Sequence, residues 1–140
     1  MQRGTPLFGL LSVLWCASAS PAAADSRFDG TWNVTLACPE ASDGTLPFTW
    51  VFTADVKDGV LHGERGRAGE PASMSLDGPI QPDGTANLHA HGLTGDQNHA
   101  IHHVRPSTQF EHPVTARFDA ARGTGHWQAI RICNFTFSRQ

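Results

Sequence analysis

Between residues 28 and 138 almost every run long enough for regular structure alternates apolar and polar side chains, and none carries a helical period. A period of two is what a strand with one buried face needs, because successive side chains leave the backbone on opposite sides. Residues 28–38, FDGTWNVTLAC, anchor the pattern. Asp29-Gly30 makes a tight turn into a strand with Trp32, Val34, Leu36 and Cys38 on one face and Thr31, Asn33, Thr35 and Ala37 on the other. Residues 48–56 repeat it, with Phe48, Trp50, Phe52, Ala54 and Val56 opposed to Thr49, Val51, Thr53 and Asp55. A chain patterned this way builds sheets.

Turn signals divide the remainder: Lys57-Asp58-Gly59, Pro82-Asp83-Gly84 and Ala121-Arg122-Gly123 each offer a glycine for a tight reversal. Strands are expected over residues 28–38, 48–56, 60–66, 72–80, 85–92, 99–104 and 112–119, with a long last one over 124–138. Within that last run Trp127, Cys133, Phe135 and Phe137 share one parity and Ile130 and Ile132 the other, which predicts a bulge or bend near Arg131. The fold class is all-β. Eight antiparallel strands in hairpin order suit an up-and-down β-barrel, with a β-sandwich as the alternative.

The start of the chain reads differently. Arg3, an apolar run of 14 residues over 6–19, and Pro21-Ala22-Ala23-Ala24-Asp25 have the layout of a secretory signal peptide. That run is shorter than the roughly 20 residues a membrane-spanning helix takes. The expected division is a signal over 1–24 and one domain over 25–140. Without the signal, nine basic side chains face 13 acidic ones, which argues against a nucleic-acid or anionic-membrane partner. Lys57 is the only lysine, and Gly, Pro, Ala and Arg are plentiful, a usage that suggests a GC-rich bacterial genome and hence a periplasmic or secreted protein.

Removing Cys16 with the signal leaves Cys38 and Cys133, which have one possible bridge in an oxidising compartment. It would close a long loop, worth about 4–5 kcal/mol on the chain-entropy account. If Cys38 stands across from Cys133 in antiparallel register, Leu36 faces Phe135, Val34 faces Phe137 and Trp32 faces Arg139. First and last strands then become neighbours and the sheet loses both edges, which favours the barrel.

Gly30-Thr31-Trp32 on the first strand and Arg139 on the last resemble the pattern of the calycin group, the lipocalins and avidins. The resemblance implies an eight-stranded barrel with a Trp–Arg contact plugging one end and a small molecule held inside. Beyond the opening Gly-Thr-Trp-Asn no avidin biotin-contact pattern is matched, so no binding residue is carried over.

The inward face expected from parity is aromatic and nearly free of polar groups. Its two readings are a dry core and a pocket for a small apolar ligand, with Trp32, Trp50, Phe52, Trp127 and Phe135 as the lining. Outside, His89 and His91 share a parity; if His91 pairs with His99 across the intervening loop, three imidazoles share one patch that could take zinc. Against that stands a solvated face that titrates near pH 6.5. No Gly-x-Ser-x-Gly, His-Glu-x-x-His or phosphate-cradling motif occurs, so no catalytic residue is assigned and no cofactor is required. The expected function is non-enzymatic binding of a small apolar ligand or of an exported protein partner, the latter on loops 39–47, 65–71 and 93–98. An inhibitor or chaperone-like partner of another exported protein is the alternative.

Overall fold

In the computed structural model, which describes Gly4 and residues 27–140, eight antiparallel strands close into a barrel in which chain neighbours are sheet neighbours. They are β1 (Gly30–Cys38), β2 (Phe48–Lys57), β3 (Val60–Arg65), β4 (Ser73–Pro79), β5 (Thr85–Leu93), β6 (Gln109–Phe118), β7 (Arg122–Gln128) and β8 (Ile132–Arg139). The signal expected over residues 1–24 lies, but for Gly4, outside the described residues.

β1 and β8 close the barrel in the register the cysteines predict, with Trp32 opposite Arg139, Val34 opposite Phe137 and Leu36 opposite Phe135. Cys38 and Cys133 form the disulfide. The alternation sorts side chains as expected: Trp32, Val34, Leu36, Phe52, Leu76, Phe135 and Phe137 are buried in one continuous core. Where strands crowd, the inward residue is small. Gly92 faces inward on β5, and a Cβ there would lie 2.0 Å from the Ser73 carbonyl oxygen.

Two expected elements differ. Residues 99–104 form no strand; two short 3-10 turns, Gln97–His99 and Ile101–His103, occupy that region. His102 and His103 take φ of 59° and 49°, and two successive left-handed residues cannot continue a pleated strand. The long last strand is instead the hairpin β7–β8, with Gln128 opposite Ile132. Of the bulge or bend expected near Arg131 the structure has the bend, a chain reversal over 129–131. One strand too many and one too few offset each other, so the count of eight holds.

One end of the barrel is sealed. Trp32 is fully buried, donates its indole N–H to the Phe28 carbonyl at 2.9 Å, and meets the Phe118 ring edge-on at 5.4 Å. The Arg139 guanidinium lies over the Trp32 ring and donates to the carbonyls of Arg27, Asp29 and Ala120. Gly30 enters β1 at φ 136°, a conformation L side chains avoid, which is why glycine precedes this tryptophan by two.

Candidate functional site

The opposite end is open. There the inward columns terminate in Phe48 and Trp50 of β2, Arg65 of β3, Phe110 and His112 of β6 and Trp127 of β7, which surround a cavity of about 580 Å³. Its walls are rings in contact: Phe48 and Trp50 at 4.9 Å between centroids, His112 and Trp127 at 4.7 Å, Phe110 and His112 stacked at 5.8 Å. Trp127 continues downward to Phe135 at 5.6 Å, so the cavity floor is the top of the packed core.

Residues 94–108 and the 129–131 reversal cover part of this mouth, contributing Ile101, Val104 and Ile130 to the lining. The 39–47 loop grips the cover. Asp43 accepts from the backbone N–H and hydroxyl of Thr45 through Oδ1 and from the His102 N–H through Oδ2. These donors, the Thr45 hydroxyl first, hold the Asp43 carboxyl well below the usual carboxylate range. Leu46 N–H donates to the Asn98 carbonyl at 2.8 Å, and His99 Nδ1 donates to the Pro47 carbonyl at 2.9 Å. Arg131, 8% exposed, donates to the carbonyls of Pro39, Leu46 and His99 and lies over the Phe48 ring at 5.0 Å. This grip keeps His102 and His103 in backbone conformations that cost about 1 kcal/mol or more each.

Two polar side chains of the cavity differ from Arg131. Arg65 lies over Trp50 at 4.6 Å, donates to the Ala72 carbonyl, and pairs with no carboxylate among the described residues. His112 is half-buried between Phe110 and Trp127, and its imidazole hydrogen-bonds to no described residue. Burial pushes its pKa below the ordinary histidine value, so the ring is neutral near pH 7.

Of the expected ligand-lining residues, the structure brings Trp50 and Trp127 to the cavity. Trp32, Phe52 and Phe135 lie deeper in the packed interior, at 0%, 8% and 1% exposure, and do not line it. The three imidazoles do not assemble. His89 and His91 stack at 5.3 Å on the outer face of β5, but the register sets His91 between Ser75 and Glu111, while His99 sits in the cover. Pairing of His91 with His99 needed a hairpin there; Leu93 pairs with Gln109 instead, which turns the segment between them into the cover. On the outer face His62 hydrogen-bonds Asp77, which raises its pKa, and His91 lies 3.7 Å from the same carboxylate. Among the described residues no group of three or more His, Cys, Asp or Glu side chains is placed to hold a metal ion.

Arg65, Phe110, His112 and Arg131 are cavity residues beyond those expected from the sequence. His112 shares parity with the buried Val114 and Phe118, and Arg65 with the buried Leu61, so both were readable as inward-facing. Compared with known proteins, the chain matches no family model, no curated protein and no solved structure.

Proposed function

We propose that this protein is an exported, non-enzymatic binding protein that holds a small, mostly apolar molecule in the mouth of its barrel. The cavity of about 580 Å³ carries the reading: it has the size and aromatic walls of small-molecule sites, and its surface is mostly apolar. The disulfide suits an oxidising compartment, and no helix among the described residues is long and apolar enough to cross a membrane.

Native mass spectrometry of the protein isolated from an oxidising compartment tests this. A small-molecule adduct that disappears on unfolding is the expected result. A bare mass, together with no thermal shift from any apolar probe, would overturn it.

A second reading, an inhibitor or chaperone-like partner of another exported protein, draws on the rim. Leu46, Ile130 and Ile132 are 46%, 62% and 50% exposed beside Arg131, which a covering protein would bury. Co-purification of a stoichiometric protein with an empty cavity would favour it.

A further inference from the structure

Resting on the reading of the mouth as a ligand site, we propose that its ligand is a flat, aromatic monoacid whose carboxylate is held by Arg65. The cavity contains two guanidinium groups and one carboxylate, in a chain whose formal net charge is −3. The two arginines are not equivalent. Arg131 commits its N–H groups to three loop carbonyls and so serves as a tie. Arg65 makes one backbone bond, to Ala72, and lies over Trp50, which leaves the rest of its fork available. The carboxylate, Asp96, accepts from the Asn98 N–H through Oδ1 and caps the first 3-10 turn. The guanidinium with N–H donors left to offer a ligand is therefore that of Arg65.

A guanidinium fork suits a carboxylate, which it can bind through two parallel N–H bonds. The rest of the cavity suits a ring. Phe110, His112 and Trp127 stand in mutual contact, and aromatic faces reward offset or edge contact with a further aromatic group. His112 adds the one polar edge of that wall, and as a neutral imidazole it places no second positive charge beside the ligand.

Three probes of matched size separate the claims: 1-naphthoate, 1-naphthalenemethanol and 1-naphthalenemethylamine, titrated calorimetrically into the disulfide-bonded protein. The expected result is naphthoate binding about tenfold or more tighter than the alcohol, with the amine weakest, since charge-assisted bonds are about twice as strong as neutral ones. Arg65→Gln should weaken the acid at least about tenfold more than it weakens the alcohol and so abolish the preference for the acid. Arg65→Lys, which keeps the charge but not the fork, should retain part of the preference and guards against a glutamine variant that fails to fold. If acid and alcohol bind equally, or the amine binds best, the acid class is wrong and the binding site stands. If none of the three binds, the site itself fails and the acid proposal with it.

Discussion

The two ends of this barrel use the same device to opposite effect. At each, one arginine lies over an aromatic ring and donates to three backbone carbonyls from two segments: Arg139 over Trp32, and Arg131 over Phe48. At the Arg139 end Phe28, Trp32, Phe118 and Phe137 fill the space beneath. At the Arg131 end the rings line a wall and leave a cavity. An arginine tie therefore closes loops whether or not the volume below is filled, and the filling decides whether an end is a plug or a site. Aromatic content alone does not distinguish them.

The largest expected effect tests that difference in filling. Trp32→Ala should cost about 3–5 kcal/mol, the range for removing a large ring from a packed interior that cannot collapse around the gap. Trp127→Ala should cost less, about 2–3 kcal/mol, because one side of that ring already faces the cavity and loses no packing there. Urea unfolding of the two variants, compared at unchanged m, reads the contrast. Equal losses would mean that the mouth is packed as tightly as the sealed end.

Much of the barrel was legible in the sequence because parity and one cysteine pair constrain it heavily. Once Cys38 faces Cys133, the partners of Leu36, Val34 and Trp32 follow, and the structure places all three as expected. The site was half legible for a physical reason. Parity says which side of the sheet a residue faces but not how high it stands in the barrel. Trp50 and Phe52 share a face of β2, yet the first lines the cavity and the second is packed below it. The cover was not legible at all. Residues 99–104, His-Ala-Ile-His-His-Val, contain no glycine or proline to break a strand, and the left-handed backbone at His102 and His103 involves no glycine to announce it. That conformation depends on contacts from Asp43, distant in sequence.

Removing the arginine ties should produce a smaller effect that separates the ends by location. Arg131→Met and Arg139→Met each strip a charged donor from three carbonyls, and each should cost about 1–3 kcal/mol. Their hydrogen-exchange patterns should diverge. Loss of Arg131 should speed exchange at the Leu46 and His102 amides, which join the 39–47 loop to the cover. Loss of Arg139 should instead act at the Gln140 amide, bonded to the Thr31 carbonyl, and along the β1–β8 seam. If the Leu46 and His102 amides keep their protection without Arg131, that arginine does not hold the cover, and the likeness between the two ends is one of appearance.

The smallest effect is one of pH, and it belongs to the open end, where His112 stands among the cavity rings. Its folded pKa lies below the unfolded value because burial disfavours the cation. Its contribution to stability is therefore fully present above about pH 6.5, the unfolded value, and is lost as pH falls through the folded pKa. His62, on the outer face, has the opposite sign: Asp77 raises its pKa, so its contribution is present below the unfolded value and is lost as pH rises through the folded one. At 56% side-chain exposure that pair is a weak counterweight. His112→Phe keeps a ring in the wall and removes the proton. Relative to wild type, this variant should hold a constant difference from pH 7.5 to about 6.5 and then gain stability as the buffer is taken on to about pH 5, by denaturant melts at each pH. A difference that stays flat over that interval would mean that the His112 ring is hydrated in the mouth, and that the cavity beside it is wet rather than apolar.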